Sequence, residues 1–181
     1  FSGTIVELPE GVKNFKIEPI VEAQLANLPD QKFSKTGVSA TLPLTAEVSF
    51  STVPVYYTAD GEQMGRGPLP PQVGETTKYY IFINFANTLK NITNISMRAV
   101  LPAGIEMGQR RNVTVGQLMT YNPSDRAISW NYTELPAWSQ TGLYFDVAVT
   151  PTADQIGQNI TLLKDIQFSA TDKITGKKFN F

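Results

Sequence analysis

Neither histidine nor cysteine occurs among the 181 residues. Imidazole proton transfer, thiol nucleophiles, disulfides and the usual zinc and haem ligands are therefore excluded together. A nucleophile would have to be Ser, Thr or Lys, served by a carboxylate or a second lysine. Neither a Gly-x-Ser-x-Gly elbow nor a Ser-x-x-Lys signature occurs. Glu7, Glu18, Glu22, Asp146 and Asp154 are scattered, without the pairing that glycoside hydrolysis needs, and read as solvated strand faces. Asp60, Glu62, Asp165 and Asp172 lack the dense oxygen-ligand spacing of a calcium loop. An internal Lys–Asn isopeptide bond would need a desolvated lysine, and the pair considered, Lys78 and Asn180, fails because Lys78 alternates away from the apolar residues of its strand. The expectation is a protein without catalysis, cofactor or metal.

Composition narrows the partners. The net charge is −1 and charged residues are 17% of the chain, so no field exists to draw in nucleic acid or an anionic membrane. The longest apolar run is residues 79–83, far short of the about 20 residues of a spanning helix, and no membrane insertion is expected within this segment. Position 1 is Phe, with no basic and apolar leader after it, which suggests a processed or excised chain. A chain without cysteine fits the cytosol and also fits large prokaryotic surface proteins.

The elements that could position side chains are strands. Apolar and polar residues alternate with period 2, the pattern of half-buried strands. Val48 and Phe50, then Val53, Val55 and Tyr57, change phase near Pro54, as in an edge strand that shifts sheets at a bulge. The strongest strand is 76–85, with Tyr79, Ile81, Ile83 and Phe85 on one face and Lys78, Tyr80, Phe82 and Asn84 on the other. Further strands are expected at 95–101, 128–132, 143–149, 166–170 and 177–181, while the Asn-rich stretch 87–94 favours a loop. About seven strands with frequent turn signals describe an antiparallel sandwich of the immunoglobulin type. Its expected core is Tyr79, Ile81, Ile83, Met97, Leu101, Trp130, Phe145, Val147 and Phe168.

Self-comparison suggests an internal repeat. Val6-Glu7-Leu8-Pro9 matches Thr133-Glu134-Leu135-Pro136, Phe15 to Val21 matches Leu143 to Val149, and Ser39-Ala40-Thr41 matches Ser169-Ala170-Thr171, all in the same order. Residues 1–47 then read as the C-terminal half of one repeat and 48–181 as a complete one. The apolar residues Phe15, Ile17 and Val21 of the half repeat would need strands from elsewhere to cover them.

Val73-Gly74-Glu75, the alternating strand after it, Leu101-Pro102-Ala103-Gly104-Ile105 and Ile128-Ser129-Trp130-Asn131-Tyr132-Thr133-Glu134-Leu135 together resemble the Ig-like repeat found in tandem in large prokaryotic cell-surface proteins. Ala99 and Thr133 depart from the pattern, standing where an acidic residue and a glycine are usual. The resemblance implies a spacer or adhesive module at the cell surface.

Two surface features carry the remaining expectations. Tyr80, Phe82 and Tyr144 alternate outward, and large aromatics on a solvent face mark an interface unless a loop such as 60–72 covers them. Asn91, Asn94, Asn112, Asn131 and Asn159 each begin an Asn-x-Ser/Thr triplet and are candidate glycan acceptors in a glycosylating host. The sequence thus points to a structural or adhesive module of an extracellular envelope protein, an S-layer, stalk or adhesin. Its partners would be neighbouring repeats, copies of itself, a surface glycan or a host protein. Two alternatives stand beside it: a filament subunit joined by strand complementation, and a carbohydrate-binding module.

Overall fold

The structure is a computed structural model that describes residues 14–17, 20–25, 28–37 and 40–181. The segment around Ile5 and the repeat residues 6–9 lie outside the described residues, as do the side chains of Phe15, Ile17 and Val21. The chain divides into two units, residues 1–45 and 46–181.

In the first unit, strands β1 (Asn14–Ile17) and β4 (Ala40–Pro43) form one antiparallel pair, and β2 (Ile20–Leu25) and β3 (Leu28–Thr36) form another. The segment from Phe15 to Val21 therefore runs through two strands.

The second unit is an immunoglobulin-like antiparallel β-sandwich. Its strands are β5 (Glu47–Val55), β6 (Thr77–Thr88), β7 (Ile92–Val100), β8 (Ile105–Val113), β9 (Thr120–Asn122), β10 (Ala127–Leu135), β11 (Gln140–Val149), β12 (Lys164–Asp172) and β13 (Lys178–Asn180). One sheet has the order β5-β6-β11-β8 and the other β13-β12-β7-β10-β9. Period 2 places Ile81, Ile83 and Phe85 of β6, with Leu143, Phe145 and Val147 of β11, on the inner face of the first sheet. They meet Met97, Ile128, Trp130 and Phe168 from the second, all buried. Aromatic rings bridge the two layers: Phe85 lies 5.5 Å from Trp130 and 4.9 Å from Phe168, and Phe50 lies 5.2 Å from Phe168.

Chain reversals are fixed by polar contacts. The loop after Leu101 turns at Gly104, whose φ of +82° suits a residue without Cβ. The Arg126 guanidinium gathers it by donating to the carbonyls of Leu101, Pro102 and Ile105. Asp172, buried at the end of β12, accepts from the amide N–H groups of Ala46 at 2.5 Å, Ile174 at 2.8 Å and Thr175 at 2.8 Å. That carboxylate ties the entry to β5 to the turn between β12 and β13.

Several expectations need correction. Tyr79 is only half-buried, because it sits at the mouth of the sandwich with Tyr56 at 5.7 Å instead of beneath the second sheet. The β5–β6 register runs unbroken from Glu47↔Thr88 to Val55↔Tyr80, so no sheet change occurs at Pro54. The change of phase there has another meaning: Val53 and Val55 pair with Phe82 and Tyr80 on the outer face. The stretch 87–94 is mostly strand, with only a short turn between β6 and β7. Nine strands fill this unit. The two not anticipated are β8, an edge strand whose Gln109, Arg110 and Arg111 blur the alternation, and the three-residue β9.

Candidate interaction face

The outer face of the β5-β6-β11-β8 sheet brings together the aromatic residues singled out in the sequence. Tyr144 of β11 pairs with Phe82 of β6, and Asp146 with Tyr80, so alternate residues of both strands form a row pointing away from the core. The ring centroids of Phe82 and Tyr144 are 4.9 Å apart and those of Tyr80 and Phe82 6.4 Å apart. All three rings are half-buried, and Val53 beside them on β5 is 47% exposed. Met64 from the 60–72 segment forms one wall of a cleft of about 470 Å³ with Tyr80, Phe82, Tyr144, Arg110 and Arg111. The loop thus borders the aromatic row without burying it.

Two glycines shape this face by leaving room. At Gly142 a Cβ would stand 2.0 Å from the Tyr144 hydroxyl, so the Tyr144 ring lies back along its own strand over bare backbone. At Gly108 a Cβ would stand 2.0 Å from Oδ1 of Asp146. Asp146, read from sequence as solvated, is buried. Its Oδ1 accepts from the Arg110 amide at 2.8 Å, next to the register shift between β11 and β8. The carboxylate therefore satisfies an amide that the irregular ladder leaves over. The Arg110 guanidinium then reaches the Tyr80 hydroxyl at 2.7 Å, a contact that raises the arginine's pKa further.

Toward the other end of the same face lies a second cleft, of about 340 Å³, which shares Tyr144. Ser49 and Ser51 of β5, Asn84 of β6 and Gln140 of β11 line it, are all exposed, and have no hydrogen-bond partner for their side chains among the described residues. Sequence reasoning placed Asn84 on the outer face but did not gather these four, which only the β5–β6–β11 register brings together.

The candidate glycan acceptors differ in their surroundings. Asn91 is half-buried: its Nδ2 donates to Glu134 Oε1 at 2.8 Å and its Oδ1 accepts from the Ala137 amide at 3.0 Å. Asn94 and Asn131 are exposed on β7 and β10, and Asn159 is exposed between Ala153–Gln155 and β12. Asn112 is exposed directly opposite Tyr144, on the border of the larger cleft. Lys78 and Asn180 stand on different sheets and both are exposed. Among the described residues no three acidic side chains gather in a way that could hold a metal ion, and no helix is long and apolar enough to cross a membrane.

No protein-family model matches the sequence. No curated protein matches it either. Among solved structures the chain is similar to the crystal structure of the RrgA Jo.In complex, with 10% sequence identity, coverage of 73% of this chain and 90% of that one, and a TM-score of 0.37. A likeness of this size supports no transfer of function.

Proposed function

We propose that this chain is a non-catalytic structural and adhesive Ig-like module of a cell-envelope protein, and that it makes contact through the outer face of the β5-β6-β11-β8 sheet. The observation that carries the reading is the row Tyr80, Phe82 and Tyr144, held on the two central strands of a sheet whose inner face is fully packed. A sheet face that only had to be wetted would carry polar residues at these positions, whereas half-buried aromatics flanked by Val53 are the composition of an interface centre. The motif residues from Val73 to Leu135 and the sequons agree with a surface location. The same resemblance is what supports reading the module as one of a tandem series.

The test is the double substitution Tyr80→Ser with Phe82→Ser in the full chain. Both side chains point away from the core, so the thermal transition should stay within several degrees of the parent. Adhesion to envelope preparations, or assembly with neighbouring modules, should fall. Loss of the folded state would place both residues in the core and end the proposal.

The filament alternative draws on the first unit, where the described strands form two separate pairs, β1 with β4 and β2 with β3, and the edge of such a pair can accept a further strand.

A further inference from the structure

The two clefts that meet at Tyr144 have different chemistry, and together they describe one elongated ligand. The smaller cleft holds no charged side chain. It offers instead the free hydroxyls of Ser49 and Ser51 and the free amides of Asn84 and Gln140, which can both donate and accept. The larger cleft offers an aromatic floor, Tyr80 and Phe82, with the Arg110 guanidinium beside it. Arg110 is exposed, has no ion-pair partner among the described residues and spends one of its nitrogens on Tyr80, so the rest of its guanidinium is open to a ligand. The Asp146 carboxylate close by is occupied by the Arg110 amide. From Gln140 to Asp146 the strand rises about 20 Å at roughly 3.3 Å per residue, so the joint groove has the length of a few pyranose rings.

We infer that this face binds an oligosaccharide lying along β11, with its hydroxyls on Ser49, Ser51, Asn84 and Gln140, a ring against Tyr144, and a sugar carboxylate at Arg110. Many paired donors and acceptors, carried on short side chains around a flat aromatic ring, fit the alternating hydroxyls and C–H faces of a sugar. A planar guanidinium fits a carboxylate bidentately. An extended peptide would instead need main-chain pairing at a strand edge, and this groove lies on the face of the sheet. The inference rests on the adhesive reading above and names its ligand class.

Calorimetric titration of the full chain against uronate-bearing and sialate-bearing oligosaccharides, with neutral gluco- and chito-oligosaccharides beside them, tests it. Binding is expected for acidic oligosaccharides. Arg110→Ala should weaken it about tenfold, as should Asn84→Ala combined with Gln140→Ala, since each change removes hydrogen-bonding groups from a desolvated contact. These positions are exposed, so the thermal transition serves as the control for folding. Equal affinity for neutral and acidic chains, or binding indifferent to Arg110→Ala, would overturn the carboxylate assignment. Absence of binding to every oligosaccharide, while envelope adhesion persists and remains sensitive to the Tyr80 and Phe82 substitutions, would overturn the glycan ligand and leave the adhesive face standing. Loss of that sensitivity as well would remove both.

Discussion

Tyr144 lies across Gly142, two positions back on the same strand, so closely that a Cβ there would stand 2.0 Å from the tyrosine hydroxyl. The glycine weakens the strand locally, since Gly in a strand interior costs roughly 0.5–1 kcal/mol relative to Ala. In return the aromatic ring lies flat at the junction of the two clefts instead of standing away from the sheet.

Gly142→Ala and Gly108→Ala should therefore diverge. At 142 the obstructing atoms belong to the free end of the Tyr144 side chain, which can swing outward; stability should change by less than about 1 kcal/mol, while contact through the face weakens. At 108 the obstructing atoms belong to the buried Asp146 carboxylate, which cannot move without abandoning the Arg110 amide. That substitution should cost about 2 kcal/mol, the penalty of an unsatisfied buried polar group. Denaturant melts of the two variants, read with an adhesion assay, separate the outcomes. Equal destabilisation by both would show that Tyr144 is structural.

Asp172 makes stability depend on pH in one direction. Burial pushes its carboxyl up, but the amide hydrogens of Thr175, Ala46 and Ile174 outweigh this and hold it below the usual carboxylate range. A depressed folded value means that the stabilisation is complete above the unfolded value of about 3.9 and is lost as pH falls through the folded value. Asp172→Asn should lower the melting temperature near neutral pH and flatten the acid limb of the stability profile. An unchanged acid limb would show that other carboxylates govern it.

Much of the sandwich was legible because β6, β7, β10, β11 and β12 each turn one apolar face to the core, whose phase shows in the sequence. Ile81, Ile83, Met97, Leu101, Trp130, Phe145, Val147 and Phe168 are buried as their phase requires. What escaped lies where a side chain answers to something other than burial on a two-sided strand. Tyr79 is capped by Tyr56 from a loop, and β8 carries arginines because it is an edge. Asp146 looks like a solvated acid until the register shift supplies its amide. The outward row Tyr80, Phe82 and Tyr144 was legible from phase alone. Its polar extension through Ser49, Ser51, Asn84 and Gln140 was not, since exposed polar residues on a strand carry no signal until the register brings them together.

Glycosylation in a competent host should follow the side-chain environments. Asn94, Asn131 and Asn159 are exposed, whereas the Nδ2 of Asn91 is committed to Glu134, whose carboxyl is held below its usual range by Lys173 and by Asn91 itself. Peptide mapping should find Asn91 the least occupied of the five sites. A glycan on Asn112 would sit opposite Tyr144 and cover the aromatic cleft, so Asn112→Gln should increase adhesion of material produced in such a host and leave bacterial material unchanged. Full occupancy at Asn91 would mean that the sugar is attached before this part of the sandwich closes.

Residues 1–47 carry the last prediction. Under the half-repeat reading, their strands lack the partners that would cover Phe15, Ile17 and Val21. The described strands pair as β1 with β4 and β2 with β3, two sheets of two strands each. Two-stranded sheets are marginally stable by themselves, and an unpaired strand edge recruits another strand. The second unit has its own core and its own closure, since Asp172 secures the amide of Ala46 at its entry. The full 1–181 polypeptide should therefore associate through its first unit, or exchange the amides of that unit rapidly, while 46–181 should be a folded monomer. Size-exclusion chromatography with light scattering, together with hydrogen exchange on both polypeptides, decides between these states. If 1–181 is a monodisperse monomer with protected amides throughout residues 1–47, the half-repeat reading and the filament alternative built on it both fall. Association of 46–181 alone would instead locate self-contact on the second unit, and loss of that association in the Tyr80 and Phe82 variant would assign it to the aromatic face.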